Sequence, residues 1–343
     1  MRSKRQDRFQ TARIVALGGG TGLSTLLRGL KEYVASRRSG TKPRPIADLA
    51  AVVTVTDDGG SSGRLRREYS VLPPGDIRNC MVALSNDERL LTQLFKYRFP
   101  GNGGLGGHSF GNLFLTALTS VTGDFSDAVR VSSEVLAVRG RIFPSTEQNV
   151  TLEAELGDGS FIAGETRISK SHKRIERVRL VPRRARPHPE TLRALRQADL
   201  ILVGPGSLYT SIIPNLLIDG VVDAISRSRG TCVYIANLMT QPGETQHYSV
   251  ADHVRAIYDH TRRKLFDYVV INRAHIARRL LRRYGQKHAE PVEASYSELN
   301  RMGLRYLTAD LLQREGLVRH DPARLSRLLI EQFVTGGSNS KKR

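Results

Sequence analysis

The sequence predicts an α/β fold, a doubly wound and mostly parallel sheet with an inserted antiparallel hairpin element. Three features predict it. Short, almost wholly apolar runs recur along the 343 residues, as strands buried on both faces of a parallel sheet require. Each run ends in a loop of Gly, Ser, Thr, Asn or Asp, and helical spacing of apolar residues follows. Around Gly157-Asp158-Gly159 the pattern changes to strict alternation, the mark of a hairpin.

The first strand is residues 14–17. It runs into Gly18-Gly19-Gly20-Thr21-Gly22, after which Leu23, Leu26, Leu27 and Leu30 repeat at helical spacing to about Val34. Residues 36–46 are a polar loop. The second strand, 49–56, is apolar and β-branched and ends in Asp57-Asp58-Gly59-Gly60-Ser61-Ser62-Gly63-Arg64. Helices are expected over 76–85, 89–98 and 111–121, with the glycine cluster 101–107 before the last. Strands 150–156 and 161–168 form the hairpin, and 175–181 adds a third strand to an insertion spanning about 149–182. The parallel pattern resumes at 200–203, 232–236 and 266–271. These end in Gly204-Pro205-Gly206-Ser207, in Asn237 and in Asn272. Residues 12–334 therefore read as one domain between a disordered basic arm, 1–11, and a disordered tail, 335–343.

Composition removes several classes. No apolar run is long enough to span a membrane, and the charged N-terminus lacks the apolar core of a secretory signal. Two isolated cysteines, Cys80 and Cys232, make neither a disulfide framework nor a four-cysteine zinc site, which points to a reducing cytoplasm. The net charge of +20 concentrates in 1–13, 170–186 and 255–283. None of these stretches carries an RNP-like aromatic pattern, zinc-finger spacing or a helix-turn-helix. The surplus reads first as Arg-rich solvated surface, then as an anionic-ligand site, and last as a nucleic-acid interface.

In an open α/β sheet, ligands bind outside the carboxyl ends of the strands, so the polar loops are the candidate site. In Gly18–Gly22 the glycines let the backbone approach an anion, and the next helix aims its N–H groups at it. Thr21 and Ser24 add hydroxyls. No Lys follows Gly22, so this is not a P-loop, and Leu23 breaks a G-x-G-x-x-G. A tight structural turn is the alternative; phosphate binding is favoured. Asp57 and Asp58 suit a ribose hydroxyl, a base edge, Mg²⁺ or general-base work, or else a turn and cap. Arg64, near Ser61, either clamps phosphate or faces water. Gly204, Gly206, Ser207, Tyr209 and Thr210 look like a second anion cradle. Asn237, Gln241 and Thr245 offer partners to a sugar or base. His108 and Asn112 mark a helix N-terminus at a pocket. No second His stands at zinc spacing, and Ser109 lacks a hydrolase context.

These stretches, GGGTGLSTLLRGL (18–30), VTDDGGSSGRLR (55–66), PPGDIRNC (73–80), GHSFGNLFLTAL (107–118), GPGSLYTSIIPNLL (204–217), NLMTQPGET (237–245) and VRHDP (318–322), together resemble the gluconeogenesis factor family (YvcK-like). That family lies in the superfamily of the 2-phospho-L-lactate transferase CofD. The resemblance runs in order through residues 12–334. It implies a Rossmann-like fold and a cytoplasmic regulatory protein that binds UDP-N-acetylglucosamine or UDP-glucose. It also implies a role linking carbon metabolism to cell shape and peptidoglycan synthesis. The expected ligand residues are those named above, Gly18 through Gly22, Asp57, Asp58, Ser61, Arg64, His108, Asn112, Gly204, Gly206, Ser207, Tyr209, Thr210, Asn237, Gln241 and Thr245. No catalytic residue, metal ligand or required cofactor is assigned, and Mg²⁺ is optional. An unidentified regulatory protein and a second copy of the chain are the expected partners, without membrane span or nucleic acid. The alternatives are a CofD-like, Mg²⁺-dependent transferase with a nucleotide-activated donor and, behind it, a nucleic-acid binder.

Overall fold

The computed structural model describes residues 11–35, 44–86, 88–171, 173–314 and 316–336. Nearly all of the expected arm and most of the expected polar loop and tail lie outside the described residues. Among the described residues ten strands are formed: β1 Ala12–Gly18, β2 Ile46–Val53, β3 Arg141–Pro144, β4 Thr151–Leu156, β5 Phe161–Ala163, β6 Ile175–Val181, β7 Leu200–Val203, β8 Thr231–Ile235, β9 Tyr268–Asn272 and β10 Arg305–Ala309. Seven make one sheet in the order β10-β9-β8-β7-β1-β2-β3, with every pairing parallel. The other three make the antiparallel sheet β5-β4-β6.

The chain starts in the middle of the large sheet, winds out through β2 and β3, and returns to the other side of β1 as β7. Direction therefore reverses between β1 and β7, where Leu17 is in register with Val203. At such a switch point two loops diverge and leave a crevice. At the opposite end the Asp199 carboxylate closes the joint, accepting from the Arg13 backbone N–H at 2.8 Å and from its guanidinium at 3.0 Å. One core cluster runs under both sheets, from Ile14, Val52 and Leu202 to Leu152 and Val178 of the insertion. Gly29 lets helix Gly20–Leu30 lie against helix Pro322–Phe333, since a Cβ there would stand 2.7 Å from the Pro322 carbonyl carbon.

Several elements depart from the sequence reading. β2 stops at Val53, where its neighbour β1 ends at Gly18, and the Thr54 N–H makes the last bond between them, to the Gly18 carbonyl at 3.0 Å. The glycine- and serine-rich stretch after Asp58 is a helix, Gly60–Tyr69, held by burial of Ser61, Ser62 and Leu65 rather than by local propensity. The expected strand 161–168 is cut at Ala163. Gly164 turns the chain at φ +97°, and residues Glu165–Lys170 are helical. The Asp58 carboxylate fixes that turn, accepting from the Thr166 N–H at 2.8 Å and its hydroxyl at 2.7 Å. Helix Phe125–Val135, β3 and β10 were not anticipated. β3 and β10 are short edge strands, and edges lack the continuous apolar run of a buried strand.

The basic side chains of 173–186 and 255–283 lie mostly at the surface. Lys173, Arg174 and Arg179 pair with Asp158, Glu176 and Glu153, and helix Arg278–Gly285 buries none of its residues. Among the described residues no single helix is long and apolar enough to cross a membrane.

Candidate functional site

A cavity of ≈ 290 Å³ opens at the β1–β7 switch point. Its first wall is the turn Gly19-Gly20-Thr21-Gly22 with Thr25. Its second is Pro205-Gly206-Ser207 with Ser211. Its third is Asn237, Leu238, Met239 and Gln241, and its fourth is Val318-Arg319-His320.

The glycine turn is shaped by neighbours on both sides. Gly18 ends β1 with its carbonyl accepting from the Asn215 side chain at 2.9 Å. Gly20 has φ +58° and open space where a Cβ would be. Gly22 has none: a Cβ would lie 2.6 Å from the Pro205 carbonyl carbon and 3.0 Å from the Gly206 Cα. Gly20 donates its N–H to the half-buried Asp76 carboxylate at 2.6 Å. The N–H groups of Thr21 and Gly22, first-turn groups with no intrahelical acceptor, are left for an anion.

The facing loops are braced by amides. Asn237 accepts from the Gly206 N–H at 3.2 Å and donates to its carbonyl at 2.9 Å. Gln241 donates to the Ser207 hydroxyl at 2.7 Å, and its own N–H bonds to the Thr245 hydroxyl at 3.0 Å. Two acceptors of the cavity lining have no partner among the described residues, Gln241 Oε1 and His320 Nε2. His320 is 6% exposed. Burial pushes its imidazole down to about 4, against the Ala236 carbonyl that acts to raise it. At neutral pH the ring is uncharged and keeps one acceptor nitrogen. A buried acceptor without a donor is costly, so a hydroxyl or N–H reaching these atoms from the cavity is favoured there.

Behind the glycine turn lies a layer of carboxyl groups. Asp76 is pushed up to about 6 by burial and then by the Asp57 charge. Glu165 is raised well above the carboxylate range by burial and by Asp57, Asp76, Glu244 and Asp58. Glu244 is pushed up to about 7 by burial, although the Ser169 and Thr210 hydroxyls donate to it at 3.2 and 3.3 Å. Among the described residues no three His, Cys, Asp or Glu side chains are placed to hold a metal ion.

Of the residues singled out from sequence, Gly19, Gly20, Thr21, Gly22, Gly206, Ser207, Asn237 and Gln241 line the cavity. Gly18, Gly204 and Thr245 support it from behind. Asp57 accepts from the Gly59 N–H at 2.8 Å, and Asp58 holds the insertion helix. Tyr209 bonds the Tyr248 hydroxyl at 2.8 Å, and Thr210 serves Glu244. Ser61, His108 and Asn112 form a separate buried network: His108 Nδ1 meets Ser61 Oγ at 2.9 Å, and Asn112 donates to Ser61 at 3.1 Å. Arg64 donates to the Gly106 carbonyl at 2.7 Å beside it. Burial, then the Arg64 charge, lowers the His108 pKa. Thr25, Ser211, Leu238, Met239, Val318, Arg319 and His320 line the cavity without having been singled out. For all of them a signal was present, since each lies in one of the motifs that carry the resemblance.

A family model described as 2-phospho-L-lactate transferase CofD matches residues 14–312. A putative gluconeogenesis factor of Nostoc sp. is 48% identical over 337 residues, 97% of this chain and 71% of that protein. The gluconeogenesis factor of Bacillus subtilis is 45% identical over 323 residues, 94% and 98% of the two chains. A crystal structure of a UPF0052 family member from Bacillus halodurans superposes with a TM-score of 0.87 at 43% identity, covering 94% of this chain and 99% of the other.

Proposed function

This chain belongs to the CofD family and is similar along nearly its whole length to gluconeogenesis factors, and on that premise we propose that it is a regulatory protein that binds a nucleotide sugar, UDP-N-acetylglucosamine or UDP-glucose, in the β1–β7 cavity. The observation that carries the reading is the mixed polarity of the cavity lining. It presents donors, the first-turn N–H groups of Thr21 and Gly22 and the Arg319 side chain, together with two acceptors that have no protein partner, Gln241 Oε1 and His320 Nε2. A diphosphate matches the donors. The hydroxyl and amide donors of a nucleotide sugar match the acceptors. The role is cytoplasmic, with the bound state read by another protein and linked to carbon metabolism, cell shape and peptidoglycan synthesis.

Calorimetry against UDP-N-acetylglucosamine, UDP-glucose, UDP, GDP and NAD tests it, with chromatography of the nucleotide after incubation. Saturable binding of a UDP-sugar without UDP release is the expected result. Steady UDP release would make the protein a transferase or hydrolase, and absence of UDP-sugar binding would end the reading.

Two finer results are expected. His320→Phe keeps the ring volume and removes the acceptor, so UDP-sugar affinity falls about tenfold, the scale of one net hydrogen bond. An undiminished affinity would mean that the ligand does not reach His320. The second concerns pH. A sugar diphosphate stays dianionic from pH 5 to 8, whereas Asp76, at about 6, loses its charge as pH falls. An ionised Asp76 beside the turn repels the diphosphate, so binding favours the protonated form and takes up protons. Affinity therefore rises from pH 8 to pH 5.5, by up to about tenfold for one charge pair near a protein surface. Heats measured in buffers of different ionisation enthalpy report the proton uptake. Proton release, or affinity that falls with acidification, would contradict it.

A further inference from the structure

The loop at the sheet's far edge that begins at Asn272 does not join the β1–β7 crevice. It lines a different cavity, ≈ 480 Å³, between residues 273–277 and 310–314, together with Leu280 and Arg324. This cavity sits at the carboxyl ends of the neighbouring parallel strands β9 and β10, the end at which α/β sheets take ligands. Its loop is pre-organised. Asn272 accepts from the N–H groups of Ala274 and Leu311 at 3.2 and 3.0 Å and donates to the Ala274 carbonyl at 3.1 Å, and the Arg273 N–H bonds to Ala309 at 2.9 Å.

The charge of the lining is one-sided. Arg273, His275, Arg314 and Arg324 face a single carboxylate, Asp310, and that carboxylate is ion-paired with Arg324. Among the described residues neither Arg273 nor Arg314 makes a salt bridge. Two guanidiniums with five donors each thus border a cavity larger than the first, over a floor that includes Leu280 and Leu312. The wall between the two cavities is shared. Leu312 pairs with His320 across an antiparallel bridge, and the Gln313 N–H bonds to the Arg319 carbonyl at 2.9 Å. A small apolar cluster of Leu238, Met239 and Val318, with Leu280 and Leu312 against it, fills the space between.

We propose that this cavity is a second ligand site, for a small polyanionic metabolite, bound by the guanidiniums of Arg273 and Arg314. Phosphate and carboxylate anions share the recognising chemistry, so two probes are used: inorganic phosphate and citrate. Each is titrated calorimetrically into the wild type, into the double variant Arg273→Ala/Arg314→Ala, and into Gly20→Val, which disables the glycine turn of the first cavity. Both arginines are exposed, so the double variant keeps its melting temperature. The expected result is saturable binding of at least one probe by the wild type, weakened at least tenfold in the double variant and retained in Gly20→Val. The probe that binds more tightly identifies the anion as phosphoryl or carboxylate. Absence of saturable binding of either probe to the wild type, or equal binding by the double variant, would overturn the proposal. Loss of binding in a folded Gly20→Val with retention in the double variant would overturn it too, by placing the anion in the first cavity.

Discussion

Gly22→Ala destabilises the protein by about 3 kcal/mol, the upper end for overpacking, and lowers nucleotide-sugar affinity at least a hundredfold. The added methyl meets backbone, not a flexible side chain: the Pro205 carbonyl group and the Gly206 Cα. Relief requires the glycine turn and the Gly204–Ser207 loop to separate. They are two walls of the same cavity, so stability and binding fall together. Gly20→Ala is the contrasting case. Its Cβ meets open space, and the cost comes from φ +58° alone, about 1–2 kcal/mol for an L-residue in that region. Thermal melts and calorimetry on both variants check the ranking. An unchanged melting temperature for Gly22→Ala would mean that the two loops are not packed as described.

Glu244→Gln stabilises the protein above neutral pH, by about 3 kcal/mol at pH 8.5. Glu244 is buried, with Oε2 lacking any partner, and its carboxyl is pushed up to about 7 from 4.5, first by burial. An acid whose folded value is raised contributes stability that is fully present below its unfolded value. That contribution is lost as pH rises through the folded value, here about 7, at about 1.4 kcal/mol for each unit between the two. Asp76 acts in the same direction through about 6, and so does Glu165. The wild type therefore melts at progressively lower temperature as pH rises from about 4.5 through about 7, the span between the unfolded and folded values of Glu244. Gln cannot ionise and keeps an oxygen for the Ser169 and Thr210 hydroxyls, so its profile is flatter and crosses above the wild type. Melting temperatures across that range decide it; parallel profiles would show that Glu244 does not ionise on folding's account.

The strand–turn–helix at Gly18–Gly22 was legible because glycines, an apolar strand and a leucine stripe coincide in one local window. Which glycine is sterically required was not, because Gly22 is constrained by Pro205 and Gly206, far away in the chain. Asp57 and Asp58 stood out as a pair, yet the local pattern could not show that Asp58 turns to Thr166. His320 and Arg319 carry no glycine loop or strand end to mark them. They reach the cavity through a hairpin closed at Leu312 and His320. Helix Gly60–Tyr69 was hidden by Gly and Ser, whose poor helical propensity is overridden by burial.

The joint between β1 and β7 also dictates when the molecule is finished. Arg13 and Asp199 are bonded neighbours separated by 186 positions in sequence, and the final wall of the cavity is residues 318–320. Closing so long a loop costs entropy before any contact repays it, and non-local pairing of this kind slows folding. During synthesis the half made by β1, β2 and β3 emerges first with one edge of β1 unpaired, and no complete cavity exists until the chain has been made past His320. Any ligand of that cavity therefore stabilises only the completed molecule, and the nascent chain must reach its topology without help from it.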